Sequence, residues 1–366
     1  MILSIADLEA AASGKLPDAT QAFFNSGATN QITVKENSSA FSKYRIRPRV
    51  LRDVSNVQTE IDILGKSITF PLCMSPAGVQ ARAHPEGELA TSRACSQKNI
   101  HMGVSSFANN SVEDIISAGR NVGGQINYGM QLYTMQDREA EKEIIARAEG
   151  AGCKAIFLTA DSPILGLRYH EKRSNFKIFD GISFPMVENG WEDKKTQSHD
   201  ERFISFNSDS HSWDEIAWLR SVTKMEIWIK GVLTAEDVEM AIESGCDGVI
   251  VSNHGGRQLD DVVPTIDALP ECVKAAQGRI RVHVDGGIRS GADIFKALAL
   301  GAECCWVGRP MLWGLAYDGQ NGVELMIDIL YQEFRRCMQL AGCRTVADIT
   351  PDRLARIGSD GSMSRL

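Results

Sequence analysis

The feature that most constrains this chain is a repeat of pattern. From about residue 70 onward, short apolar runs recur at Phe70–Ser75, Ile100–Ser105, Gln125–Leu132, Ala155–Ala160, Glu226–Ile229, Gly248–Val251, Arg281–Val284 and Cys304–Val307. Each has the length of a strand buried on both faces. Amphipathic segments such as Glu86–Lys98, Asp137–Ala151, Thr234–Ser244 and Ser290–Leu300 lie between them, with Gly or Asp/Ser/Thr at most joints, as helix ends require. Eight strands alternating with helices is the count that closes a (β/α)8, or TIM, barrel. An open doubly wound sheet usually carries G-x-G-x-x-G after its first strand, whereas only Pro76-Ala77-Gly78 follows here. The predicted class is therefore α/β: a (β/α)8 barrel over residues 70–345, an N-terminal helical extension and hairpin over 1–69, and a C-terminal tail over 346–366.

Two regions fall outside the repeat. Val57–Phe70 reads as a hairpin with Gly65-Lys66 at its turn. Residues 170–212 form a long polar segment with little periodicity, in which Glu192-Asp193-Lys194-Lys195 and then Thr196-Gln197-Ser198-His199-Asp200 read as solvated surface. A structureless loop of that length is usually a lid or disordered, and after the fourth strand it would lie over the active face of a barrel.

Composition narrows the partners. The 366 residues include 39 basic and 47 acidic ones, a formal net charge of −8, which disfavours nucleic acid. An anionic substrate must then be drawn in by local arginines against the global field. No stretch is apolar enough to span a membrane, and the first residues, MILSIADLEAAASGKL, lack the basic start of a secretory signal. Nine cysteines occur without a C-x-x-C pair, which fits reduced intracellular thiols and no structural metal.

The chemistry-bearing residues cluster at predicted strand ends, where barrel active sites lie. Ser252-Asn253-His254-Gly255-Gly256-Arg257-Gln258-Leu259-Asp260 follows the sixth strand. A neutral imidazole accepts a proton near pH 7, and a guanidinium grips a carboxylate at two points. A lone His is more often a structural turn residue; beside Arg257 in a glycine-rich loop the catalytic reading gains the advantage. Arg168 follows the fourth strand, where it is either a surface charge or part of the mouth, and Asp161 is placed to orient His254. Tyr133 follows the third strand and is either a site residue or a packed aromatic. Lys230 closes the fifth, either snorkelling or facing a buried anion. Asp285-Gly286-Gly287-Ile288-Arg289 and Gly308-Arg309-Pro310 close the last two strands, the loops that commonly bind phosphate in this fold.

With these motifs in hand, the sequence resembles the FMN-dependent α-hydroxy-acid oxidase family, and within it the glycolate oxidases. The likeness runs from Ser26-Gly27-Ala28 through Arg47-Pro48-Arg49 and His84-Pro85-Glu86-Gly87-Glu88 to the strand-end motifs. The resemblance implies FMN as cofactor, with the backbone of Pro76, Ala77 and Gly78 against the flavin. Ser105, Gln131, Thr159 and Ser252 would hydrogen-bond its ring or ribityl chain. Lys230 would sit beside the flavin N1/C2 carbonyl and stabilise the reduced ring. It also implies Asp285 on the ribityl hydroxyls, and Gly286, Gly287, Arg289, Gly308 and Arg309 on the phosphate. Tyr133, Arg168 and Arg257 would bind a substrate carboxylate, with His254 as base oriented by Asp161.

Three departures bear on the substrate. Phe23 stands where the family has a substrate-binding Tyr, which removes a hydrogen bond worth roughly 1.5–3 kcal/mol. Phe107 replaces a Trp after the paired serines, and Leu167 stands before Arg168 where a polar side chain is common. These predict an apolar pocket for a 2-hydroxy acid longer or bulkier than glycolate, while Gly78 predicts extra room beside the flavin. The implied reaction oxidises an (S)-2-hydroxy acid to a 2-oxo acid, with oxygen as acceptor and hydrogen peroxide as product. The alternatives are a 2-hydroxy-acid dehydrogenase and an oxidative decarboxylase acting on a larger biosynthetic substrate. No haem domain is apparent, the family implies tetramers, and Ser364-Arg365-Leu366 resembles a peroxisomal address, the alternative compartment being the cytoplasm.

Overall fold

The computed structural model describes residues 1–178, 181–187, 203, 206–358 and 360–365. The charged run at 192–195, the stretch 196–200 and Leu366 lie outside the described residues. Eight parallel strands close a barrel: β4 (Leu72–Met74), β5 (Met102–Val104), β6 (Tyr128–Leu132), β7 (Ala155–Thr159), β8 (Glu226–Val232), β9 (Gly248–Val251), β10 (Arg281–Asp285) and β11 (Cys304–Val307). Closure comes from β11 pairing with β4 in the register Cys305↔Leu72, Trp306↔Cys73 and Val307↔Met74. All four residues of β9 and β11 are buried, which is why these strands read as continuous apolar runs rather than as alternations.

Three helices precede the barrel: α1 (Ile5–Ser13), α2 (Asp18–Asn25) and α3 (Ile32–Ser39). Ser4 caps α1 through a reciprocal capping box with Asp7. Between them and the barrel lie β1 (Tyr44–Ile46), β2 (Ile61–Ile63) and β3 (Lys66–Ile68). The β2–β3 hairpin turns at Leu64-Gly65, one residue earlier than Gly65-Lys66, because Ile63 pairs with Lys66. Both turn residues take positive φ, 51° and 76°, as the tight turn that matches strand twist demands. Ile63, Leu64 and Ile68 pack with Ala155, Phe157, Trp228 and Trp306 in one buried cluster, so the hairpin plugs the barrel end remote from the strand C-termini.

The outer ring begins with α4 (Gly87–Lys98), α5 (Val112–Asn121), α6 (Arg138–Ala151) and the short α7 (Tyr169–Arg173). It continues with α8 (Asp214–Val222), α9 (Ala235–Glu243), α10 (Thr265–Ala276) and α11 (Gly291–Ala299), and ends with the long α12 (Arg309–Ala341). Helix α12 breaks at Asp318-Gly319, whose backbone angles are not helical. Beyond it, β12 (Leu354–Ile357) pairs antiparallel with β1 and with β13 (Met363–Arg365), which joins the two ends of the chain in a small sheet. Among the described residues no helix is long and apolar enough to cross a membrane, and there is no cluster of potential metal ligands.

The segment after β7 is less uniformly polar than its sequence predicts. Ile178, Phe184, Met186, Val187 and Phe203 are buried, and an antiparallel bridge joins Asn207 to Met135. Its apolar residues are spaced irregularly, so no period exposes them in the sequence.

Candidate active site

The C-terminal strand ends surround a cavity of about 1230 Å³, its open mouth included. Of the residues expected at the site, Phe23, Pro76, Ala77, Gly78, Ser105, Gln131, Tyr133, Thr159, Arg168, Lys230, His254, Arg257, Asp285, Gly286, Gly287, Arg289, Gly308 and Arg309 line it. Asp161 and Ser252 stand behind the wall, each holding a residue that does face the cavity.

His254 is on the loop after β9 with φ 56°, a left-handed conformation uncommon for a residue with a side chain. Its Nδ1 lies 2.9 Å from Asp161 Oδ1, and its backbone N–H donates to Ser252 Oγ at 3.2 Å. With Nδ1–H committed to the carboxylate, Nε2 is left as the proton acceptor. Burial pulls the His254 pKa below the ordinary imidazole value; Asp161 pulls upward without cancelling it, and Lys230 and Arg168 add to the lowering. Burial works against ionised Asp161, but His254, Lys230 and the Ser162 hydroxyl outweigh it and the carboxyl stays below its usual range. A partly buried dyad of this kind keeps the imidazole neutral and ready to accept at neutral pH.

Lys230 owes its position to an irregularity in β8. The register with β9 slips between Lys230 and Val232, leaving Gly231 as the extra residue of a bulge. Gly231 has φ 114°, and a Cβ there would stand 2.7 Å from Asp161 Cβ, so the bulge also makes room for the carboxylate behind His254. Lys230 Nζ donates to Ser252 Oγ at 2.8 Å and pairs with Asp285 Oδ2 at 3.2 Å. Ser252, expected on the cofactor, is fully buried and receives both this ammonium and the His254 amide.

Two arginines of the site also close the end of α2. Arg257 Nη1 donates to the carbonyls of Phe23 and Ser26, while Arg309 donates from Nε to Phe24 O at 2.9 Å and from Nη2 to Ser26 O at 3.1 Å. These carbonyls belong to the unsatisfied C-terminal turn of a helix, which favours cations. Arg309 Nη1 also donates to Gly255 O at 2.9 Å, so it ties α2 to the His254 loop. Arg168 donates from Nε to Arg257 O at 3.1 Å and from Nη2 to Gln258 Oε1 at 3.0 Å, with Glu171 at 3.6 Å. Burial, together with Arg168 and Arg309 nearby, strongly disfavours the charged form of Arg257. The same burial, with Arg289 and Arg168 close, pushes Arg309 down to about 9. Crowded, desolvated guanidinium groups of this sort are stabilised by an anion. Tyr133, pushed up to about 12 by burial and the nearby Asp161, keeps its hydroxyl proton and is a neutral donor.

Two substrate-pocket expectations are corrected. Leu167 is half exposed and does not line the cavity, its carbonyl accepting from Thr29 N at 2.8 Å, whereas Leu165 lines it. An irregular loop carries no alternation that would place one leucine inward and the other outward. Gly78 gives no extra room, since a Cβ there would stand 2.7 Å from Phe107 O. Sequence reading missed Phe24, Leu165, Ile178, Phe203 and Leu312 on the wall. Of these only Phe24, adjacent to Phe23, had a local cue.

The cavity fits a group carrying hydroxyls and an anionic tail. Asp285 Oδ1 and Ser75 Oγ are buried, have no hydrogen-bond partner among the described residues, and belong to residues lining the cavity. Arg289 and Arg309 are partly buried at its edge and form no ion pair within the described residues. Pro76, Ala77 and Gly78 add an apolar stretch to the wall. Those features define a barrel protein with a strand-end site for a ligand that carries hydroxyls and an anionic tail. A profile of the family described as FMN-dependent dehydrogenase matches residues 12–356, and the chain belongs to that family. It is 43% identical to "Glycolate oxidase" of Spinacia oleracea, covering 100% of this chain and 98% of the relative. It is likewise 43% identical to "Oxidase FUB9" of Fusarium oxysporum, over 98% and 93% of the two chains. Among solved structures it resembles mandelate oxidase with (S)-4-hydroxymandelic acid, with a TM-score of 0.90, 36% identity, and coverage of 96% and 98%. The protein is an FMN-using oxidase.

Proposed function

We propose that this enzyme oxidises an (S)-2-hydroxy acid with an apolar side chain to the 2-oxo acid, converting oxygen to hydrogen peroxide. The observation that carries the reading is the meeting, in one cavity, of a carboxylate-backed imidazole with two guanidinium groups, that of Arg168 buried and that of Arg257 partly so. FMN would be held by the Pro76–Gly78 backbone, Ser105, Gln131, Thr159, Asp285 and the Gly286–Gly287, Arg289 and Gly308–Arg309 loops, and when bound it would supply the acceptor for the substrate's α-hydrogen and electron pair, with oxygen as the final oxidant.

The residues of the chain do the rest. Arg257 and Arg168, with the Tyr133 hydroxyl, hold the substrate carboxylate and thereby fix its α-carbon. His254 Nε2 accepts the proton of the 2-hydroxyl, and Asp161 Oδ1 holds the imidazolium that results. Lys230, kept charged by Asp285 and Asp161, places a positive charge at the cavity wall. Phe23, Phe107, Leu165, Ile178 and Phe203 make the remaining wall apolar, which favours a substrate larger than glycolate.

The test is His254→Ala, for which we expect retained flavin and a turnover reduced about 10²–10⁴-fold. Near-normal turnover overturns the assignment. A panel of 2-hydroxy acids scored by bleaching of the flavin without oxygen identifies the substrate; failure of every member to bleach it overturns the activity.

Ser364 and Arg365 are exposed on the edge strand β13, and we propose that with Leu366 they form a peroxisomal address. Diffuse cytosolic signal from a reporter carrying this tail excludes it. A homotetramer, implied by the resemblance, is checked by light scattering, and a monomer mass excludes it.

A further inference from the structure

Phe23 has no hydroxyl to offer a ligand, yet it is the residue most closely engaged with Arg257. Its carbonyl accepts from Arg257 Nη1, and the Arg257 Cζ lies 5.0 Å from the centroid of its ring. The ring in turn stacks on Phe176 with centroids 4.3 Å apart and planes 16° from parallel. Phe176 comes from the segment following α7. Arg82 lies over the Phe176 ring at 5.8 Å and donates from Nη2 to Lys177 O at 2.8 Å. Two cations and two rings thus form a chain of contacts from the loop after β4, through the segment after α7, to the carboxylate clamp.

The contacts answer an electrostatic difficulty. Arg257 is desolvated and repelled by Arg168 and Arg309, and no acidic side chain pairs with it among the described residues. Before an anion arrives, its guanidinium is held by the carbonyls of Phe23 and Ser26 and by the π-face of Phe23. A π-face attracts a desolvated cation more strongly than an exposed one. The stack restricts the tilt of the Phe23 ring, and so the place where the guanidinium can rest.

We propose that Phe176 and Phe23 are positioning residues that hold the Arg257 guanidinium ready for a substrate carboxylate. This rests on the 2-hydroxy-acid reading and adds to it a residue remote from the reacting atoms. Because the stack acts on carboxylate binding rather than on proton removal, its loss should raise KM and leave the base alone.

The experiment uses the FMN-loaded enzyme with the best substrate of the panel, and oxalate as a carboxylate probe read by the flavin spectrum. Phe176→Leu and Phe23→Leu should each raise KM and the oxalate Kd about tenfold. The double variant should be little worse than either, and the pH at which kcat falls on the acid side should not move. Phe176→Trp, which keeps a ring on the stack, should remain within about threefold of the parent and decides the matter if Phe176→Leu fails to load flavin. An unchanged KM and oxalate Kd in Phe176→Leu overturns the proposal, as do independent additive losses, a shifted pH profile, or a tenfold loss in Phe176→Trp. A parent enzyme that no 2-hydroxy acid bleaches overturns the function instead, so the two failures are distinguishable.

Discussion

His254 must stay neutral until substrate arrives and then tolerate a proton in a cavity already crowded with cations. Burial, Lys230 and Arg168 all act against the imidazolium, and Asp161 alone among the named groups favours it. The sign of the pH dependence follows. Activity should be lost as pH falls through a His254 pKa below the ordinary 6.5, because the protonated ring cannot accept. Asp161→Asn removes the one upward pull, so the acid limb of kcat/KM should move to lower pH. Turnover should drop about ten- to a hundredfold, since the imidazolium formed in the reaction loses its charged partner. A limb displaced to higher pH contradicts this account. Much at this scale was legible: His254, Arg257, Arg168 and Lys230 stood out because each ended an apolar run or lay just beyond one. Ser252 was harder, because a strand-end serine reads alike whether it faces a ligand or supports a lysine from behind.

Elements are held together around the site by polar clasps as much as by apolar packing. At the start of α6, Asp137 caps the helix, while the buried Glu141 accepts from Met135 N at 3.2 Å and from Arg138 Nη1 at 3.0 Å. Arg138 also grips Glu215 of α8, so a single guanidinium fastens two helices beside the bridge between Met135 and Asn207. Burial pushes Glu141 from 4.5 up to about 7, more than Met135 and Arg138 can offset. Between those values the folded chain keeps a proton that the unfolded chain has released, so the Glu141 contribution makes unfolding easier as pH rises through this window. Glu141→Gln should flatten that part of the profile, measured as the urea midpoint at pH 5 and at pH 7.5; an unchanged slope contradicts it. None of this clasp was legible, because a Glu and an Arg three apart near a helix start look like ordinary surface charges. The barrel strands were legible for the opposite reason, since burial on both faces leaves an uninterrupted apolar signature. The β1–β12–β13 sheet was not, as strands of three and four residues carry too little pattern to register.

On the scale of the whole molecule, the cavity is assembled from strand ends around the barrel and from α2, which lies outside it. Whatever fills the cavity therefore binds the folded chain and not its unfolded form, and must stabilise the whole. At a thousandfold excess over Kd this linkage is worth about 4 kcal/mol, a rise in Tm of roughly 5 °C for a chain of this size. The phosphate should carry much of that effect. Arg289 and Arg309 are partly buried without an ion pair among the described residues, in a molecule whose net charge of −8 gives an anion no general attraction. Riboflavin, which lacks the phosphate, should therefore raise the Tm of the flavin-free protein by much less than FMN at equal concentration. Arg289→Ala is the sharper variant, because Arg309 also holds α2 to the His254 loop, and losing it would confuse cofactor binding with assembly. It should narrow the difference between FMN and riboflavin while leaving the riboflavin shift intact. Equal stabilisation by the two flavins in the parent, or an undiminished difference in the variant, would remove the phosphate from these two loops.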